Sequence, residues 1–140
     1  MNRQNILVTL SSLVLVIFSC HTVFAQQQDR MVRLSEIEID PAYLEEYKTI
    51  LKEESAASVK LEPGVIAIFP MYRKDSPTSV RILEMYASKA AYEQHLKTSH
   101  FQKYKTTTLK MVKSLKLVDM ESLDAATMPF VFRKLKQDNE

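Results

Sequence analysis

Residues 84–104, EMYASKAAYEQHLKTSHFQKY, contain the change of period that decides the fold. The stretch begins as the end of a strand. Val80, Ile82, Glu84 and Tyr86 alternate with Arg81, Leu83 and Met85, so the two sets face opposite sides of a sheet. Ser88 stops the alternation and is suited to cap a helix. Beyond it Tyr92 and Leu96 lie four apart on one helical face, with His95 one turn after Tyr92 on the same side. Thr98-Ser99 interrupts that helix, and Ser99 is placed to cap a second one. There Phe101, Tyr104, Thr108, Met111 and Leu115 make one stripe. Glu84, Tyr86, Tyr92, His95, His100 and Tyr104 thus collect around one strand-to-helix junction. No other part of the chain is as rich in groups that move protons or hold an aromatic ligand.

Working outward, residues 31–39 are the first strand. Val32 and Leu34 share one face and Ile37 and Ile39 the other, a phase slip near Ser35-Glu36 that implies a bulge or a strand buried on both faces. Asp40-Pro41 starts a helix whose buried stripe is Tyr43, Leu44, Tyr47, Ile50 and Leu51, ending near Lys60. Glu62-Pro63-Gly64-Val65 reads as a turn with Gly64 at the position that needs a positive φ. Residues 65–72 form a second strand, with Val65, Ala67, Phe69 and Met71 on one face and Ile66, Ile68 and Tyr72 on the other. A polar hairpin leads to the third strand at 79–86, and 115–121 is the fourth. The order is that of an α+β, ferredoxin-like βαββαβ protomer with a four-stranded antiparallel sheet. Two helices cover one face of such a sheet. Strands two and three are apolar on both, so the second face predicts a homodimer packed sheet to sheet. The apolar segment 130–132 is placed to lie across the partner.

The chain has 140 residues, room for one ordinary domain. Its 46% hydrophobic and 26% charged residues are those of a globular protein. A net charge of +2, with Lys and Arg spread along helices, gives no nucleic-acid footprint. The single glycine, Gly64, excludes glycine-rich phosphate loops and a Gly-x-Ser-x-Gly nucleophile elbow. Residues 1–25 read as a signal peptide: Arg3 is their only charge, 6–18 is an apolar run short for a bilayer span, and Ala25 precedes Gln26-Gln27-Gln28. A lipoprotein site at Ser19-Cys20 and an uncut anchor are the rival readings. Cleavage after Ala25 makes the protein periplasmic or secreted, with no membrane attachment, and removes Cys20, the only cysteine. Residues 26–30 are then a short linker, 31–123 the domain and 124–140 a C-terminal tail.

Three pieces carry a family resemblance: 33–41 (RLSEIEIDP), 62–65 (EPGV) and, most distinctively, 84–101 (EMYASKAAYEQHLKTSHF). Together they resemble the antibiotic biosynthesis monooxygenase (ABM) family, the dimeric α/β-barrel proteins, over roughly residues 31–123. The resemblance implies a dimer whose two sheets form a barrel and a pocket between helices and sheet in each protomer. It also implies cofactor-free oxygenase chemistry on a quinol or similar hydroxylated aromatic, with dioxygen as the second substrate. On that reading His95 or His100 is the base, Tyr86 holds the ring or donates to it, and Glu84 orients a histidine. Tyr72, Tyr92, Phe101, Tyr104 and Arg33 line the substrate site. Other members degrade haem or process autoinducer-2. Haem degradation is disfavoured by the absence of Trp, with Tyr86 and Lys105 at the positions that branch gives to Trp and His. Export argues against the autoinducer chemistry of the cytoplasm.

Bland readings stand beside these. Tyr92, Leu96, Phe101 and Tyr104 have the spacing of core residues. His95 is equally a structural histidine, and Glu84 has Arg33 as a salt-bridge candidate. A non-catalytic dimeric ligand-binding or stress-related protein is the alternative to an enzyme. His95 and His100 are five apart across a helix break and do not share a face as an i, i+4 pair would, so no metal site is expected.

Overall fold

The computed structural model describes residues 30–137; the expected signal peptide lies outside them. Strand β1 (Met31–Ile39) is followed by a 3₁₀ turn (Pro41–Tyr43) and helix α1 (Leu44–Leu61). Strands β2 (Val65–Tyr72) and β3 (Ser79–Tyr86) form a hairpin. Helices α2 (Lys89–His95) and α3 (Ser99–Thr108) lead to β4 (Val112–Met120), and α4 (Met128–Gln137) closes the described chain. The sheet order is β2-β3-β1-β4 with every pair antiparallel, the ferredoxin-like arrangement.

Local chemistry sets the element ends. The Asp40 carboxylate accepts from the Ala42 N–H, and Pro41 stands in the first turn. Ser88 caps α2 through the Ala91 N–H. Thr98, rather than Ser99, caps α3, accepting from the Phe101 N–H. The stripe Tyr47, Leu51 of α1 packs on Ile37, Ile39, Val80, Ile82 and Tyr86 of the sheet, with Met111 closing one end.

The expected slip in β1 is not a bulge. Its pairing with β3 runs unbroken from Met31↔Tyr86 to Glu38↔Ser79. Arg33, Ser35, Ile37 and Ile39 all face the helices, and the polar pair interrupts an apolar face because it lines a cavity there. Register shifts lie elsewhere: in the β1–β4 pairing between Glu38 and Ile39, where β4 carries the extra residue Lys113, and in β2 between Val65 and Ala67. The extra residue of β2, Ile66, moves Val65 onto the helix side with Ile68, away from the Ala67, Phe69, Met71 face expected for it. β4 begins three residues earlier than its sequence pattern implied.

Gly64 also differs from expectation. No described residue has a positive φ. Its hydrogen is needed for space: a Cβ there would sit 2.6 Å from the Cβ of Ala91, on the backbone of α2, where no rotation relieves the overlap. The Gly64 carbonyl accepts from the Ala87 N–H at 2.8 Å, which holds the two segments at that spacing. Gly64→Ala is therefore expected to destabilise the protein by about 1–3 kcal/mol, the usual cost of overpacking, read as a lower denaturation midpoint. An unchanged midpoint would show that α2 shifts freely.

The sheet face away from α1 to α3 carries Val32, Leu34, Ala67, Phe69, Met71, Leu83, Met85, Val118 and Met120. Phe69 is 59% and Met120 48% exposed. The tail segment that includes Phe130, Val131 and Phe132 is the helix α4, and those three residues are exposed in the protomer.

Candidate functional site

Between the sheet and the helices lies a cavity of about 400 Å³. Ile37, Ile68 and Ile82 form part of its floor, Tyr92, Phe101 and Tyr104 its walls, and Leu115 and Leu117 of the edge strand β4 its mouth. α1 packs over β2 and α3 packs on α1, while β4 is left half-exposed, so the cavity opens along β4. Such a lining, apolar with a few convergent polar groups, is that of a small-molecule site.

His95 is 2% exposed and its ring is packed by Tyr86 (5.5 Å between centroids) and Phe101 (4.6 Å). Its Nδ1 is 3.0 Å from Glu62 Oε1, and His100 Nε2 is 2.6 Å from the same oxygen. An ionised carboxylate only accepts, so both imidazoles donate to it. In the neutral ring the lone pair then falls on His95 Nε2, which lies 3.9 Å from Glu54 Oε1, outside hydrogen-bond reach. The two histidines meet although five residues separate them. α2 ends at His95, and the turn closed by Lys97 N–H to Gln94 and Thr98 N–H to His95 redirects α3, bringing His100 back to Glu62. A five-residue separation keeps two side chains apart only along a continuous helix, and this one is broken between them.

The two carboxylates of the cluster titrate in opposite directions. Burial raises the Glu54 carboxyl, against a hydrogen bond from Ser58 and the nearby imidazoles. Burial acts the same way on Glu62, but the hydrogen bonds from His95 and His100 outweigh it and hold that carboxyl below its ordinary value. A raised acid binds its proton more tightly in the folded chain, so its stabilising contribution is complete at low pH and lost as pH rises through the folded value. For Glu62 the sign reverses: its contribution is present above 4.5 and lost on acidification. Glu54→Gln keeps the acceptor for Ser58 and removes the buried charge. The variant should melt higher than the parent at pH 8, with the gap closing on acidification. A lower melting temperature at pH 8 would mean that the imidazoles repay the buried charge.

Glu84 serves a different network. It accepts from the Ser35 hydroxyl and, at 2.9 Å, from the Tyr86 hydroxyl, and neither described histidine hydrogen-bonds to it. Burial and the adjacent Glu84 charge push Tyr86 far above the ordinary tyrosine range, so it stays a phenol. Arg33, directly across from Glu84 in register, pairs with Asp119 (2.7 Å) and lies 4.6 Å over the Tyr92 ring. Tyr104, raised to about 12 by burial, shares a 2.7 Å hydrogen bond with the fully buried Tyr47.

Of the residues singled out in the sequence, Arg33, Glu84, Tyr86, Tyr92, His95, Phe101 and Tyr104 line this one cavity. His100 stands behind His95, on Glu62. Tyr72 is not among the lining residues: β2 carries it seven residues beyond Val65, about 20 Å along the strand, where it is exposed beneath Lys48. Glu54 and Glu62 were not singled out. Glu54 falls on the continued apolar stripe Tyr47, Leu51, Glu54, Ser58, and a carboxylate there was the available signal. Glu62 looked like an ordinary turn residue. A second groove of about 450 Å³ lies between Gly64 and Thr98, lined by Pro63, Ala91 and Lys97 among others.

A ferredoxin-like sheet with an aromatic-walled cavity between it and its helices places the chain among the α+β domains built around a small-molecule pocket. The profile of the antibiotic biosynthesis monooxygenase family matches residues 31–107, and the chain belongs to that family. It is similar to the solved structure of a protein from Bacteroides thetaiotaomicron assigned to the antibiotic biosynthesis monooxygenases: 50% identity, TM-score 0.69, over 70% of this chain and 93% of that one. A protein from Lactobacillus acidophilus assigned as a monooxygenase is 30% identical, TM-score 0.66, over 68% of this chain and 45% of that one. A Nitrosomonas europaea structure at 20% identity and TM-score 0.66, covering 71% and 95%, shares the fold. No protein of curated function matches.

Proposed function

We propose that the protein is an exported, cofactor-independent monooxygenase of a quinol or similar small hydroxylated aromatic, working as a homodimer packed sheet to sheet. One observation carries the reading: a buried imidazole, with Nδ1 committed to Glu62, faces an aromatic-walled cavity of a size to hold one or two rings. The apolar outer sheet face supports the dimer, and the apolar run before Ala25 supports export.

A hydroquinone in the cavity with one hydroxyl at His95 loses that proton to the imidazole. The phenolate passes one electron to dioxygen, and the radical pair couples to form a ring C–O bond. The resulting peroxide anion takes the proton back from the imidazolium. The ring carbon that bears the hydroperoxide then loses its hydrogen as a proton while the O–O bond breaks, and that proton leaves with the departing hydroxide as water. Hydroquinone and dioxygen give hydroxyquinone and water; the substrate supplies all four electrons. Glu62 stabilises the transient imidazolium, and the apolar walls keep bulk water from the intermediate.

Oxygen uptake with a panel of hydroquinones tests this. Uptake that depends on both enzyme and quinol supports it. Quinol binding in the cavity without uptake would make the protein a ligand-binding member of its family.

A further inference from the structure

We propose that Glu54, His95 and His100 form a binding site for one divalent first-row transition-metal ion, with Glu62 as the carboxylate that orients both imidazoles. One donor atom from each of the three lies within 4.8 Å of the others. A central point is then at most about 2.8 Å from each atom (4.8/√3). Metal–nitrogen and metal–oxygen bonds of about 2.0–2.2 Å need the side chains to close in by well under 1 Å.

Three further features fit a cation. Metal-bound histidines usually give their second ring nitrogen to a carboxylate, which fixes the ring. Glu62 Oε1 takes Nδ1 of His95 at 3.0 Å, which leaves Nε2 on the Glu54 side, and it holds His100 through Nε2 at 2.6 Å. Charge is the second feature. Two carboxylates lie at a site where His95 and Glu54 are 2% and 6% exposed, and a doubly charged cation neutralises both. Donor type is the third: two imidazoles with a carboxylate suit zinc, iron, nickel or copper rather than magnesium or calcium. Three protein donors also leave a coordination position toward the cavity that His95 and Glu54 line.

The site goes beyond the proposed oxidation and does not depend on it. If that oxidation holds, the ion and the substrate proton compete for one lone pair on His95, and metal inhibits.

Competition for Zn²⁺ between the untagged full chain and a chromophoric chelator tests the site. The folded protein should withdraw a single equivalent per chain, and Co²⁺ should give the visible absorption of nitrogen and oxygen ligation. Glu62→Gln should weaken binding about 10–100-fold, as loss of an orienting partner does. Glu54→Gln and His100→Ala should weaken it more; the first is the variant expected to melt higher at pH 8, so its loss of metal would not reflect unfolding. No Zn²⁺ withdrawn by the folded chain, or withdrawal unchanged in Glu54→Gln and His100→Ala, would overturn the site. The measurement requires no turnover, so it fails or stands apart from oxygen uptake.

Discussion

His95→Ala should lower quinol-dependent oxygen uptake about 10²–10⁴-fold, the usual worth of a positioned proton acceptor. The effect should fall on turnover more than on substrate affinity. The ring walls Tyr92, Phe101 and Tyr104 remain, and what is lost is the group that accepts the phenolic proton. Removing His95 also leaves Glu62 with one donor where it had two, so stability should drop together with activity. Glu62→Gln separates the two effects. It keeps the carbonyl acceptor for His95 and removes the charge that stabilises the imidazolium, so turnover should fall while the fold is retained. His100→Ala should do less, because His100 touches Glu62 and does not line the cavity. Equal losses in His95→Ala and His100→Ala would place the base elsewhere.

Phe69→Lys with Met120→Lys should turn a dimer into a monomer. Both residues lie on the outer sheet face and are about half exposed in the protomer, so the charges add little cost to the isolated chain. In a sheet-to-sheet interface each would bury an unpaired ammonium. A charge left buried without a partner costs about 3–5 kcal/mol, so two such changes weaken association by about a thousandfold or more. Sedimentation velocity should show the parent at twice the chain mass and the double variant at the chain mass, with unchanged circular dichroism. A monomeric parent would remove the explanation for the apolar outer face.

Much of this molecule was legible because its periods are clean. The alternation through Val80–Tyr86, the cap at Ser88 and the helical spacing of Tyr92 and His95 fixed β3, α2 and their junction. Asp40-Pro41 marked the approach to α1. Legibility failed where one residue answered to a site or a neighbour instead of its own element. Arg33 and Ser35 broke the apolar face of β1 and resembled a bulge. The irregularity in β2, at Ile66, was hidden because that strand is apolar on both faces, so a one-residue slip leaves no trace in the pattern. Gly64 looked like a turn glycine because the contact that requires it, with Ala91, is with a residue 27 positions away in sequence. Glu54 and Glu62 belong to elements whose own logic gave them ordinary roles, a helix and a turn. Only the return of α3 onto the end of α1 turns them into partners of two histidines.

On the proposed function, a small aromatic ring sits over the sheet with a hydroxyl on His95. A crystal structure with a hydroquinone bound under anaerobic conditions tests it most directly. The ring should lie among Tyr86, Tyr92 and Phe101, with one oxygen within about 3 Å of His95 Nε2. A ring seated in the groove between Gly64 and Thr98, or in the cavity with no oxygen near either imidazole, would contradict the account.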